Sequence, residues 1–137
     1  LLYKIFRLIC LQIYHKMIHL NQDISQTDIS GGDTMKNNEQ LTDSMFYIMA
    51  ALTKPRHGYA IMSLIEETSN GVVTIGPASM YTIIKKLLQN NWIYLYDDSD
   101  SRRKVYTLTE QGRAILKEDL KIRKLMIQLA EKELEEY

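Results

Sequence analysis

The segment from Pro77 to Tyr96 gives the clearest indication of the fold and reads PASMYTIIKKLLQNNWIYLY. Proline suits the first turn of a helix, because the N–H group that it lacks would have no partner there. Apolar residues then recur three and four positions apart, which is the spacing of a helix that buries one face. These apolar residues are Met80, Ile83, Ile84, Leu87 and Leu88. The pattern predicts a helix that begins at Pro77.

The opposite face of this helix is polar. It carries hydroxyls, a phenol, two cations and an amide, namely Ser79, Tyr81, Thr82, Lys85, Lys86 and Gln89. Groups of these kinds reach phosphates and base edges in protein–DNA complexes. Asn90-Asn91 predicts where the helix ends, because asparagine tolerates the left-handed conformation that a helix C-terminus often requires.

Two strands are predicted after this helix. The first runs from Trp92 to Asp97 and is rich in aromatic and β-branched residues, which favour strands. The second runs from Lys104 to Leu108, and the turn between them holds Arg102-Arg103 beside Asp98 and Asp100. A helix with a polar face that leads directly into a hairpin is the layout of a winged helix.

The chain before the central helix predicts two shorter helices and a strand. The first helix follows Asn37 and Gln40, which are spaced like a capping box, and ends at the proline of a basic turn, Lys54 to Gly58. The second helix covers about Tyr59 to Thr68. Val72 to Ile75 is short and β-branched, so it predicts a small strand.

A long helix is predicted from about Glu110 toward Tyr137, with Thr109 as its N-cap. It carries more apolar residues than one small domain can cover, so we expect it to pack on a second copy of the chain. The residues expected in that dimer contact are Ile115, Ile122, Leu125, Met126 and Leu129. The predicted fold is mainly α with a small β-hairpin wing: a winged helix-turn-helix DNA-binding domain at 35–108, then a long C-terminal dimerisation helix at 109–137.

Composition limits the functions that are open to the chain. Its 17 basic and 17 acidic side chains cancel, so DNA binding must depend on local clusters of charge. A single cysteine, Cys10, excludes an intrachain disulfide and fits a cytoplasmic protein. The sequence holds no phosphate loop or nucleophile motif, so it predicts neither an enzyme nor a cofactor. His15 and His19 are spaced like metal ligands on a helix, but they lie in a segment of different character, and we expect no metal site.

Residues 1–34 differ from the rest of the chain. Leu1 to Leu20 is apolar with scattered basic residues, but its apolar runs are too short to span a bilayer, and Asn21 to Thr34 has the composition of a linker. Gly31-Gly32-Asp33 can be encoded as GGA-GGU-GAU, a strong bacterial ribosome-binding sequence, shortly before Met35. We therefore expect a non-native translated leader with Met35 as the natural start. A flexible or amphipathic extension and a membrane-surface helix are the alternatives.

Three motifs resemble, in the right order, those of PadR-type transcriptional regulators. His57-Gly58-Tyr59-Ala60-Ile61 resembles the HGY-plus-apolar element of that family. The segment Ala78 to Leu87 resembles its GTLYxxLKRL recognition helix, and Arg103 to Gly112 resembles its RKYYxLTxxG wing and helix start. The resemblance covers about Leu41 to Leu116. Asn91-Trp92 stands where the family usually has a glycine and an apolar residue, and the alanine at position 78 replaces another common glycine.

The resemblance implies a homodimeric DNA-binding transcriptional regulator, a ligand- or stress-responsive repressor of a nearby operon. A recognition helix places its N-terminal half against base edges and its cations near phosphates, while wing arginines can enter the minor groove. The residues expected to contact double-stranded DNA are His57, Tyr59, Ser79, Tyr81, Thr82, Lys85, Lys86, Arg102, Arg103 and Lys104.

These residues also have simpler interpretations. The lysine pair can be a solvated helix face, the wing arginines an ordinary charged turn, Tyr81 part of the core edge, and His57 a helix cap. Trp92 has two interpretations as well: it lines a cavity for a small aromatic or cationic effector, or it anchors the wing to the last helix, which we favour. The competing function is a winged-helix protein–protein interaction module without sequence-specific DNA binding.

Overall fold

The computed structural model describes residues 40–135, which form four helices and three strands. In chain order these are α1 (Asp43–Ala51), β1 (Arg56–His57), α2 (Gly58–Thr68), α3 (Pro77–Gln89), β2 (Ile93–Asp97), β3 (Val105–Leu108) and α4 (Glu110–Glu135). The fold is therefore mainly helical with a small sheet, as the sequence predicts. The expectations for residues 1–34, with His15, His19 and Cys10, lie outside the described residues.

Helix α1 begins later than the sequence indicates. Its N-cap is Thr42, whose side-chain oxygen accepts a hydrogen bond from the Met45 N–H at 3.3 Å. The predicted cap at Asn37 lies outside the described residues, and the prediction that Gln40 and Leu41 belong to the helix is wrong. Leu41 is held outside the helix by contacts with α4: its N–H donates to Asp119 Oδ1 and its carbonyl accepts from Arg123 Nη2.

The three strands form one antiparallel sheet in the order β1-β3-β2. Strand β3 pairs with β2 from Ile93 opposite Leu108 onward, and with β1 through Arg56 opposite Tyr106 and His57 opposite Val105. Strand β1 lies where the sequence predicted only a basic turn. This pairing joins the start of α2 to the part of β3 that follows the turn of the hairpin.

The strand predicted at Val72 to Ile75 is absent, so that prediction is wrong. Both edges of β3 are already occupied by β1 and β2. The chain here follows a turn instead, in which Gly71 has a φ of 77° and Ser69 Oγ accepts a hydrogen bond from the Val73 N–H at 3.0 Å. Val72 is 86% exposed, so it has no neighbouring strand or core to pack against.

The core lies where α1, α2 and α3 meet the sheet. Its fully buried side chains are Ile48, Met49, Leu52, Ile61, Met80 and Leu87. The predicted apolar face of α3 is confirmed, because Met80, Ile84 and Leu87 are buried and Ile83 and Leu88 pack against the core. The helix turns polar side chains to solvent on the other side.

Helix α4 is 26 residues long, and only its first half packs on the domain. Gly112, Leu116 and Asp119 are its buried residues. Asp119 and Arg123 form a network that we call the α1–α4 clamp: Arg123 donates to Asp119 at 2.6 Å and to Asp43 at 2.7 Å. The clamp fixes the start of α1 against α4.

Candidate nucleic-acid interface

Helix α3 presents one continuous polar face. Ser79, Thr82 and Lys86 follow one another at spacings of three and four, and all three are exposed, as is Lys85 beside them. The Thr82 hydroxyl donates to the Ala78 carbonyl at 3.0 Å, so its lone pairs are the part of the group that faces solvent. The face therefore offers two hydroxyls and two cations at the surface.

The N-terminus of α2 is capped by a histidine. The His57 ring accepts a hydrogen bond at Nδ1 from the Ala60 N–H at 3.3 Å, which requires the neutral imidazole with its proton on Nε2. The helix-cap interpretation of His57 is therefore realised in the structure. It leaves the Nε2–H group as the donor that a phosphate could meet. Tyr59, two residues on, is 51% exposed.

A close contact between α2 and α3 brings these two elements together. Gly58 is buried, and a Cβ atom in its place would lie 2.6 Å from Met80 Cε and 3.2 Å from the Tyr81 hydroxyl. A larger residue here would require the ends of the Met80 and Tyr81 side chains to move, so glycine allows this close approach without rearrangement. As a consequence, the half-buried Tyr81 stands between the start of α2 and the polar face of α3.

The wing is the hairpin β2–β3, and its tip is the turn at residues 98–104. Asp97 Oδ1 accepts from the Ser99 N–H and Asp100 Oδ1 from the Arg102 N–H, both at 2.9 Å. The acidic side chains thus bind backbone amides of the turn. Within residues 40–135, Arg102 and Arg103 form no ion pair with them. Both guanidinium groups stand exposed at the tip, and Lys104 is half-buried.

Charge links the wing to the start of α2. Burial lowers the pKa of His57, and the positive charge of Arg103 lowers that pKa further. At the tip, the hydrogen bonds from Ser99 lower the pKa of Asp97. Arg103 is thus close enough to His57 to act on it, and the predicted residues of the wing and of α2 share one region of the surface.

Trp92 lies in the core at 6% exposure. Its carbonyl accepts a hydrogen bond from the Thr109 N–H at 3.0 Å, and it touches the first turn of α4, where a Cβ atom on Gly112 would overlap the same carbonyl. This placement favours the anchoring interpretation of Trp92 over the ligand interpretation.

The predicted dimer residues are mostly exposed on α4. Ile122 is 41% exposed, Leu125 66%, Met126 55% and Leu129 62%, while Ile115 packs against the core of its own domain. An open groove of about 380 Å³ runs between α1 and α4, with Phe46, Tyr47, Leu120, Arg123 and Ile127 among its lining residues.

The clamp residues were missed in the sequence. Asp119 and Arg123 continue the buried positions Gly112 and Leu116 at spacings of three and four, so an acid and a base at those positions signal a polar contact with the domain. In residues 40–135, no three His, Cys, Asp or Glu side chains could hold a metal ion, and none of the helices has the length and apolar character to cross a membrane.

The comparisons with known proteins agree with this geometry. The Transcriptional regulator PadR-like family has a sequence model that matches residues 47–118, more than half of the chain. A transcriptional regulator from Clostridium thermocellum is similar in structure, with a TM-score of 0.56 and 19% identity over 66% of this chain and 90% of that chain. A PadR family transcription regulator from Clostridium difficile gives a TM-score of 0.54 and 22% identity over 66% of this chain and 96% of that chain.

A mutant of ZitR from Lactococcus lactis, in complex with DNA, gives a TM-score of 0.55 and 16% identity over 92% of this chain and 82% of that chain. At these identities the solved structures show a shared fold. No curated protein matches the chain in sequence.

Proposed function

Because the chain belongs to the PadR-like family of transcriptional regulators, we propose that it is a homodimeric repressor that binds an operator near its own gene. Such a regulator binds DNA to control transcription. The dimer, the repression and the response to an effector are the further steps of the proposal.

The proposed DNA-binding surface is supported chiefly by one observation. Exposed cations stand on two elements without a protein partner among the described residues: Lys85 and Lys86 on α3, and Arg102 and Arg103 at the wing tip. In a chain with no net charge, such clustering supplies the local positive potential that attracts phosphates. Ser79 and Thr82 lie on the face of α3 that would enter the major groove, where they reach base edges. His57, Tyr59, Tyr81 and Lys104 border this surface and are proposed to contact the backbone.

The exposed apolar residues of α4 support the dimer. The groove between α1 and α4 continues this apolar surface toward the domain. A second copy that packs its own α4 against these exposed residues would cover them, in a two-fold symmetric contact. Contiguous apolar surface of this kind on a helix typically marks a protein interface.

The same groove is the place where we propose that an effector acts. Phe46 and Tyr47 offer aromatic surface, and Arg123 lies over the Phe46 ring at 4.4 Å from its centroid. A small aromatic compound bound there would contact Arg123 and so perturb the α1–α4 clamp. Tyr47→Ala should therefore weaken the effector's ability to release DNA while the affinity for DNA without effector stays unchanged. An unaltered response would place the effector elsewhere.

The alternative is a winged-helix protein-interaction module. An interface with DNA that rests on several phosphate contacts weakens steeply with salt, whereas an apolar protein interface does not. The exposed cations favour DNA, since the centre of a protein interface is depleted in lysine.

The proposal is tested by selecting binding sites from random duplex DNA with the full chain. A two-fold symmetric dimer should enrich an inverted repeat whose half-sites are centred about 10–10.5 base pairs apart or at a multiple of that distance. A reporter gene behind the selected sequence should then lose expression when the protein is present. Enrichment of no sequence, or of an isolated half-site alone, would contradict the proposal.

A further inference from the structure

Asn91, Trp92, Thr109 and Gly112 form a joint between α3, the wing and α4. Asn91 follows α3 in the left-handed conformation, with a φ of 57°. Trp92 comes next and donates its N–H to the Leu87 carbonyl at 3.0 Å, which closes the end of α3. The path of the chain out of the recognition helix is therefore fixed by these two residues.

Thr109 connects this exit to α4 through three hydrogen bonds. Its N–H donates to the Trp92 carbonyl at 3.0 Å, and its hydroxyl donates to the Asn91 carbonyl at 2.7 Å. The same hydroxyl oxygen accepts from the Gly112 N–H at 2.9 Å, which caps α4. The Thr109 hydroxyl is thus hydrogen-bonded both to Asn91, which follows the recognition helix, and to Gly112 in the first turn of the dimerisation helix.

Gly112 brings the two elements into direct contact. A Cβ atom at this position would overlap the Trp92 carbonyl group, so the first turn of α4 lies against the peptide that follows α3. The direction in which α4 leaves the domain is therefore set first at Thr109 and Gly112, and the α1–α4 clamp at Asp119 and Arg123 holds the helix further along. The apolar residues proposed for the dimer begin about 12 positions beyond the start of α4.

Because of this distance, a small rotation at the joint would displace the dimer residues by a length comparable to the rise of one base pair. Ile122 and Leu129 lie 12 and 19 residues beyond Glu110, or about 18 and 28 Å along the helix axis. A rotation of about 10° at the joint would shift these positions by about 3–5 Å, which is about one base pair of B-DNA.

We propose that Thr109 is a positioning residue for DNA recognition, because it fixes the angle between α3 and α4 and so sets the half-site spacing that the dimer accepts. The inference rests on the dimer proposed above. It assigns to Thr109 a role that differs from a helix cap: the bond to Asn91 matters for spacing, and the bond to Gly112 for the stability of α4.

Three variants separate these two bonds. Thr109→Ser keeps both, Thr109→Val removes both, and Thr109→Asp keeps an acceptor for the Gly112 N–H but has no hydroxyl proton to donate to Asn91. Because an aspartate is a good N-cap, the Asp variant keeps the test informative if the Val variant does not fold.

The full chain and each variant are measured by fluorescence anisotropy on duplexes that carry two copies of the half-site selected by the wild-type protein. The copies are set at the selected spacing and at spacings one and two base pairs shorter or longer, and a duplex with one half-site serves as the control. One base pair turns a half-site by about 35° around the axis, so the wild-type protein and Thr109→Ser should lose affinity about tenfold per base pair.

Thr109→Val and Thr109→Asp should discriminate less than about threefold between neighbouring spacings, while their affinity for one half-site matches wild type. A loss of affinity that is equal at every spacing, or spacing discrimination that Thr109→Asp retains, would overturn the inference and leave Thr109 as a cap. Wild-type protein that binds every spacing equally would contradict the proposed dimer on DNA, and the inference with it.

Discussion

Single residues decide how the surface is presented, and His57 shows how one side chain serves two purposes. Its Nδ1 atom caps α2 only while the imidazole is neutral, and its backbone pairs with Val105, the first residue of β3 after the wing turn. The positive charge of Arg103 disfavours protonation further. Any contribution of His57 to DNA binding therefore comes from the neutral ring with Nε2–H as donor.

A pH dependence follows from this arrangement. The pKa of His57 in the folded protein lies below the unfolded value of 6.5, so the unfolded chain takes up a proton more readily. The stabilisation that the neutral His57 ring gives the folded protein is therefore complete above pH 6.5. It is lost as the pH falls through the lower pKa that His57 has in the folded protein. His57→Asn keeps a capping acceptor but does not titrate, so its free energy of unfolding should fall less than that of wild type between neutral and acidic pH. Urea unfolding at both pH values measures the difference, and curves that fall in parallel would contradict this role.

At the scale of elements, the polar contact between α1 and α4 is the feature that was not predicted from the sequence. Asp119 is 4% exposed and accepts hydrogen bonds from Leu41 and Arg123. Arg123 also donates to Asp43 and to the Leu41 carbonyl. The clamp thus satisfies the backbone just before α1 and holds α4 in place.

Removal of the buried carboxylate should be costly. Asp119→Ala leaves the Leu41 N–H without its partner and Arg123 without its shortest ion pair, so we expect the free energy of unfolding to fall by about 2–4 kcal/mol. Glu118→Ala is the matched control, because Glu118 is exposed and forms an ion pair with exposed Lys121, and it should change stability by less than about 0.5 kcal/mol. Equal effects of the two changes in thermal unfolding would show that the clamp adds no stability.

The central helix and the hairpin could be predicted because local rules act there without competition. Pro77 begins a helix, Asn91 ends it, and the apolar spacing of α3 matches its buried face. The strand at Val72 was mispredicted because β-branched residues form a strand only where a partner strand is available. Strand β1 was missed for the converse reason: Arg56 and His57 have little strand propensity, and β3 imposes the extended conformation on them.

The candidate surface was predictable only as a set of residues. The sequence identified hydroxyls and cations on α3 and arginines in the wing, but it could not show that Gly58 allows α2 to touch Met80 and Tyr81. Nor could it show that Arg103 acts on His57, since that proximity depends on the pairing of β1 with β3. Tertiary contacts, which no local pattern encodes, assemble the surface.

At the scale of the whole molecule, the proposed function requires two chains. Leu125 is 66% exposed on α4. Leu125→Glu would place a charge in the proposed interface, so we expect a monomer at concentrations where wild type sediments as a dimer, with helix content unchanged. Gln111→Glu adds the same charge at an exposed position 14 residues, or about 21 Å, nearer the start of α4 and should leave the dimer intact. A dimeric Leu125→Glu protein would exclude this face as the interface.

A salt series is the most direct test of whether the exposed cations of α3 and the wing bind operator DNA. The affinity of the full chain for DNA from upstream of its own gene is measured by anisotropy, together with two charge-matched double variants. Lys85→Ala with Arg103→Ala should lower the slope of log affinity against log salt by about 1.8 in each subunit, because each phosphate contact contributes about 0.9. Lys117→Ala with Lys121→Ala, on α4, should leave the slope unchanged. Binding that does not depend on salt, or equal slopes for the two double variants, would contradict the account.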